Sequence, residues 1–129
     1  MGMEKTGVVF GVFDGLHKGH QYFLNEAKSL CENLVVVVAQ TNTVKEIKNR
    51  HPKKTLEERI AAIKEFDPKF TVVGGDSKLG DWTVLKTHKP DIVFVGYDQQ
   101  SLATELEKLG MKHSFIGPHF PEKFKSSLM

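Results

Sequence analysis

The sequence predicts an α/β protein, a single domain built on a five-stranded parallel sheet with helices on both faces. Three observations carry that expectation. Short apolar runs alternate along the chain with segments of helical periodicity, the pattern of βαβ units joined by right-handed crossovers. Val35-Val36-Val37-Val38 is apolar at consecutive positions, as in a strand covered on both faces. The chain has 129 residues, 40% of them hydrophobic, which is enough material for one proper core.

In chain order, Val8-Val9-Phe10 reads as a short buried strand, followed by a glycine-rich turn and a helix over Gln21–Cys31. Leu34–Ala39 is the second strand. The longest irregular stretch follows, Thr41 to Lys54, and it is basic through Lys45, Lys48, Arg50, Lys53 and Lys54. Thr55 with Glu58 three residues later forms a capping box that opens a helix over Leu56–Phe66. Phe70–Val73 is the third strand, and a weaker helical pattern lies around Trp82–Thr87. Ile92–Val95 is the fourth strand, Leu102–Leu109 a helix stopped by Gly110, and His113–Ile116 the fifth strand. No internal repeat, low-complexity tract or linker divides residues 1–129. Five parallel strands with this connectivity most simply give the order 3-2-1-4-5, a Rossmann-like sheet. Its topological switch falls between strands 1 and 4, and ligands bind outside their carboxyl ends. Those two ends carry the most unusual segments of the chain, Phe13–His20 and Gly96-Tyr97-Asp98-Gln99.

Charge and composition exclude several classes. With 18 basic and 16 acidic residues the formal net charge is +2, far from the basic bias of a duplex-binding domain. Nucleic acid is therefore not the expected partner. The single Cys31 rules out an intramolecular disulfide and fits a reducing compartment. No apolar run approaches the roughly 18 residues of a membrane span. Met1-Gly2-Met3-Glu4-Lys5 lacks the apolar core of a signal peptide. The expectation is a soluble cytoplasmic protein with no membrane partner.

The stretch from Gly11 to His20 is where chemistry is expected. A strand–glycine turn–helix leaves backbone N–H groups at the positive end of a helix, a natural phosphate cradle. This turn also carries His17 and His20, with Lys18 between them. It lacks both the G-x-G-x-x-G of dinucleotide binders and the G-K-[ST] ending of a P-loop. Three readings of the histidines stand side by side. They are a surface or core-edge pair, a metal pair, or donors to phosphate oxyanions beside the helix N-terminus. Structural zinc usually takes four nitrogen or sulfur ligands, and Cys31 has no second cysteine to support it. Phosphate suits the turn better.

Gly11, Phe13, Asp14, His17, Gly19 and His20 reproduce the (G)-x-F-D-x-x-H-x-G-H signature. By it the chain resembles the nucleotidylyltransferase superfamily, its cytidylyltransferase-like group, and the resemblance runs from Gly7 to Ser127. It implies that His17 and His20 contact nucleotide phosphates and stabilise charge during transfer, with Gly11, Val12, Phe13, Asp14 and Gly19 shaping the nucleotide site. Similar enzymes place lysines after strand 2, which here selects Lys45 and Lys48; a solvated loop face is the other reading. Arg59 sits where the family often has an arginine, or is an ordinary helix-surface charge. Gly96, Tyr97, Asp98 and Gln99 resemble the element that contacts base and ribose, and a simple turn is the alternative. Ser126 and Ser127 match a short form of the terminal motif that holds the β- and γ-phosphates, unless they belong to a frayed tail.

The reaction implied needs no enzyme nucleophile. An acceptor phosphate attacks the α-phosphorus of a nucleoside triphosphate, and the protein positions both while neutralising charge. Mg²⁺ would arrive on the triphosphate, with no protein side chain as its ligand. The Gly-x-Asp-Gln form, with Asn42-Thr43-Val44-Lys45, looks most like archaeal-type FAD synthases, which use ATP and FMN. A flavin ring would need an apolar slot, for which Trp82, Tyr97 and Phe120 are candidates. A glycerol-3-phosphate cytidylyltransferase-like enzyme using CTP and a small phospho-alcohol is the alternative acceptor class. A nucleotide-binding module without catalysis is the alternative outside enzymes. The resemblance also allows a homodimer.

Overall fold

The computed structural model describes residues 4–16, 18–41, 44, 52–75, 82–97 and 99–117. The elements run β1 (Glu4–Gly11), α1 (Lys18–Ser29), β2 (Cys31–Val38), α2 (Leu56–Phe66), β3 (Thr71–Gly74), α3 (Thr83–His88), β4 (Ile92–Gly96), α4 (Gln100–Leu109) and β5 (His113–Ile116). All four strand pairings are parallel, and the order is β3-β2-β1-β4-β5, as the alternation of elements predicts.

The valine run of β2 shows how the sheet is covered. Val36 and Val38 pack with Val9, Leu24, Ala27 and Ile63 under α1 and α2. Val35 and Val37, pointing the other way, pack with Val8, Val93, Val95, Val84, Ala103 and Leu106 under α3 and α4. Alternate residues of a strand face opposite sides, so an apolar residue is needed at every position where both faces are covered. β4 is buried along its whole length for the same reason.

Several element boundaries differ from the periodicity, most of all those of β1 and α1. β1 starts at Glu4 rather than Val8, and its first residue pairs with Cys31. Thr6 anchors this polar lead, its N–H donating to the Asp91 carboxylate at 2.9 Å while its carbonyl takes the Asp91 N–H at 2.8 Å. Main-chain pairing continues past the apolar residues, which alone are visible to a hydrophobicity pattern. α1 begins at Lys18, inside the glycine-rich motif, and ends at Ser29, so that Cys31 opens β2 instead of closing a helix. The Cys31 thiol is buried, and burial pushes its pKa up, the opposite of a reactive cysteine.

Helix ends follow local chemistry. At α2 the Glu58 N–H donates to Thr55 Oγ1 at 3.1 Å and the Thr55 N–H to Glu58 Oε1 at 2.8 Å, the reciprocal box expected from the sequence. Gly110 closes α4 in the left-handed region (φ 72°), with its N–H on the Glu107 and Leu106 carbonyls.

Candidate functional site

The described residues of the candidate site gather at the carboxyl ends of β1, β2 and β4, with α1 and α2 supplying His20 and Arg59. Leaving β1, the chain enters a strained turn. Phe13 sits at φ 52°, a left-handed conformation that costs a bulky residue on the order of 1–3 kcal/mol. Burial holds it there, since its side chain is 3% exposed and packed in the core beside α1. The ring folds back over Gly11, where an added Cβ would meet it at 2.6 Å, so that position admits glycine. The same ring meets the His20 imidazole, with centroids 5.5 Å apart at 71°.

His20 lies in the first turn of α1, and its Nδ1 is 3.0 Å from the Gly15 carbonyl. A carbonyl only accepts, so the proton sits on Nδ1 and the imidazole is held in one orientation. The ring therefore stands fixed on two sides, by Phe13 and by Gly15, beside the backbone amides that open α1. Gly19 lies in the same helical turn.

Two other expected ligand residues have a different occupation. Asp14 accepts the main-chain N–H groups of Lys53 (2.7 Å) and Lys54 (2.9 Å), 39 and 40 residues further along. Arg59 is neither an exposed helix charge nor open to a nucleotide, because it is completely buried. Its Nη1 donates to the Ala39 carbonyl (2.7 Å) and the Val12 carbonyl (3.1 Å). Its Nε donates to the Lys54 carbonyl (3.2 Å) and its Nη2 to Thr41 Oγ1 (3.4 Å). Burial pulls the Arg59 pKa down, while the charges of Asp14 and Glu57 pull it back up. A guanidinium stays protonated through such a shift. Arg59 and Asp14 thus fasten the loop before α2 to the glycine turn and to the end of β2. The sequence could not show this, because a carboxylate and an arginine that recruit main-chain groups need no complementary residue type at the other end.

The loop they fasten lines an open cleft of about 430 Å³ with Gln40, Thr41, Pro52, Lys53, Lys54 and Thr55 on its walls. Lys53 and Lys54 belong to the basic stretch, although Lys45 and Lys48 are the lysines that the motif order favours. Gln40 ties β2 to β3 by donating from Nε2 to the Gly75 carbonyl at 2.8 Å.

Across the switch, Gly96 is buried and Tyr97 is 58% exposed. The Gln99 side chain, expected at the nucleotide, is engaged on main chain, accepting the Gly96 N–H at Oε1 (2.8 Å) and donating from Nε2 to the Phe10 carbonyl (2.9 Å). Trp82 packs edge-on to Phe10, with centroids 5.7 Å apart at 87°, as part of the core layer under α3 and α4. Of the two described flavin-slot candidates, Trp82 and Tyr97, Tyr97 is the more open ring. His17, Lys45, Lys48, Asp98, Phe120, Ser126 and Ser127 lie outside the described residues. Among the described residues no cluster of three or more His, Cys, Asp or Glu could hold a metal ion, and no helix is long and apolar enough to cross a membrane.

Comparison with known proteins meets this geometry. The FAD synthase of Thermococcus sibiricus is 37% identical over 125 residues, covering 94% of this chain and 83% of that protein. The FAD synthase of Pyrococcus abyssi is 38% identical over 113 residues, covering 84% and 76%. The crystal structure of a lipopolysaccharide core biosynthesis protein from Thermoplasma volcanium superposes with a TM-score of 0.75 at 31% identity, covering 92% of this chain and 99% of that one. NadR, solved with NAD and AMP-PNP, shares the fold at a TM-score of 0.60 and 20% identity. The family described as cytidylyltransferase-like matches residues 8–127, and with that match over nearly the whole chain this protein belongs to the cytidylyltransferase-like family of nucleotidyltransferases.

Proposed function

We propose that the protein is an FMN adenylyltransferase that makes FAD and pyrophosphate from ATP and FMN. The observation that carries this is the identity of 36–38% with archaeal FAD synthases over most of the chain. The anchored His20 beside the glycine turn supplies the chemical side of the argument.

In the reaction a phosphate oxygen of FMN attacks the α-phosphorus of ATP. A new P–O bond forms there, the bond to the bridging oxygen of the β-phosphate breaks, and pyrophosphate leaves with that oxygen. His20 and His17 donate to the phosphate oxygens as charge builds, and the amides of the glycine turn add fixed dipoles. Lys45 and Lys48 hold phosphate groups of the reactants. Gly96, Tyr97 and Asp98 flank base and ribose, and Ser126 and Ser127 close on the β- and γ-phosphates. Mg²⁺ carried by the triphosphate, with no protein side chain as its ligand, would supply further charge neutralisation. Asp14, with both carboxylate oxygens engaged by loop amides, does not offer itself as a ligand. A cytoplasmic location and pairing of two copies complete the proposal. Sedimentation equilibrium reads the second directly, a mass twice that of the chain supporting it and a single-chain mass overturning it.

Pyrophosphate release with a matrix of triphosphates and phosphorylated acceptors tests the function. FAD formation from ATP and FMN is expected. Preference for CTP with a small phospho-alcohol would move the chain to the other acceptor class, and nucleotide binding without turnover on any pair would make it a sensor.

A further inference from the structure

β1 and β2 stay paired to the last residue of each, Gly11 against Val38. β1 and β4 part earlier, for their register runs Gly7↔Ile92, Val8↔Val93 and Val9↔Phe94 and then stops. Alternation along each strand identifies the groups left facing each other. The Val93 N–H donates to the Lys112 carbonyl on the β5 side, so amides of opposite parity in β4, including that of Gly96, face β1. The Gly11 carbonyl takes the Ala39 N–H on the β2 side, so the Phe10 carbonyl, one residue back, faces β4. A ladder continued in the same register would place the Gly96 N–H on the Phe10 carbonyl.

Those two groups meet the Gln99 carboxamide instead, Gly96 N–H on Oε1 at 2.8 Å and Nε2 on the Phe10 carbonyl at 2.9 Å. The Gln99 N–H, on the Gly96 carbonyl at 3.0 Å, closes the turn that brings this side chain back. We propose that Gln99 is a positioning residue whose carboxamide replaces the next main-chain rung between β1 and β4. It keeps the two strand ends one amide apart and leaves neither main-chain group unsatisfied. The Phe10 carbonyl and the Gly96 amide are thereby already engaged at the crevice, on the glycine-turn side and the Gly96–Tyr97 side alike. The separation of those sides sets how the phosphates lie relative to the base. This role in catalysis rests on the nucleotidyl-transfer reading; the strut itself does not.

Residue types follow from the two bonds. Glutamate keeps the acceptor for Gly96 and turns a second oxygen on the Phe10 carbonyl. Methionine, of similar length, serves neither group. Amide hydrogen exchange in the empty protein reads the strut directly. In the wild type the Gly96 amide and the Gln99 side-chain amide should both exchange slowly. In Gln99→Met the Gly96 amide should exchange about tenfold faster or more, with Val93 and Val95 unchanged. Gln99→Glu should keep Gly96 protected. With ATP and FMN both variants should lose about tenfold or more in kcat and less in KM, because misplacement of bound reactants acts on the chemical step.

Unchanged exchange at Gly96 in Gln99→Met, or a fast-exchanging Gln99 amide in the wild type, overturns the strut. A rise in KM with kcat intact would make Gln99 a direct nucleotide contact and overturn the positioning role. If the wild type turns over no pair of substrates, the functional reading fails while the exchange pattern still decides the strut.

Discussion

His20 and Arg59 are both polar residues in the motif-bearing region, and the structure separates their roles. His20 meets the Gly15 carbonyl and the Phe13 ring from a half-buried position, so removing it takes away little of the core. His20→Ala should therefore lower turnover on the order of 10²–10³ with only a small change in thermal midpoint. A folded variant with near-native turnover would end the phosphate role. Arg59 is the reverse case. Arg59→Met leaves the partly buried carbonyls of Val12 and Ala39 without the Arg59 donor, and unsatisfied groups of this kind cost roughly 1–3 kcal/mol each when fully buried, less where water reaches them. Urea unfolding should show a loss of about 2–4 kcal/mol from those two groups together. A loss below about 0.5 kcal/mol, in the range of an ordinary surface substitution, would return the residue to a helix-surface charge.

At the scale of an element, α2 depends on its first turn. Thr55→Ala removes the side-chain half of the capping box and should cost about 1 kcal/mol, measured by denaturant midpoint. The other half titrates. The Thr55 N–H holds the Glu58 carboxyl below its ordinary value of 4.5. A carboxylate with a depressed folded pKa stabilises the fold above its unfolded pKa, and that contribution disappears as the pH falls through the folded value. The stability gap between wild type and Glu58→Ala should thus be constant near neutrality and narrow as the pH drops below 4.5. A gap independent of pH would show that the carboxylate charge takes no part in the box. Gly11→Ala acts on the turn as a whole, because the added Cβ lies 2.6 Å from the Phe13 ring and the ring has no free space to retreat into.

At the scale of the whole molecule the proposed nucleotide crevice is a meeting of three strand ends, so ligand binding there should report on the assembled sheet. A ligand that binds only the folded chain stabilises it by about 2.7 kcal/mol at 100 times its Kd. ATP should accordingly raise the thermal midpoint of the wild type and do so weakly in Gly11→Ala, where the turn is displaced. Equal midpoint shifts in both proteins would place the nucleotide elsewhere. Lys45→Ala or Lys48→Ala should weaken binding of a phosphorylated reactant, and the loss should shrink at high salt as exposed charges are screened. Calorimetric titration at two ionic strengths reads this; affinities unchanged for both reactants return these lysines to a solvated loop.

How much was legible in the sequence follows from what each feature depends on. The strand order, the covered valine run of β2, the capping box of α2 and the Gly110 stop depend on neighbours within a few residues or on burial of apolar side chains, and both are written in the pattern of residue types. So is the glycine turn, whose residues are contiguous. The tertiary structure alone decided the tasks of Asp14, Arg59 and Gln99. Each of them binds main-chain amides or carbonyls across 39, 47 and 89 residues respectively, measured to Lys53, Val12 and Phe10. Every residue carries the same carbonyl, and all but proline the same amide, so such bonds leave no mark on the partner's identity. A polar side chain beside a phosphate and one bracing a loop therefore look alike in the sequence, and only the folded chain tells which of them faces the ligand.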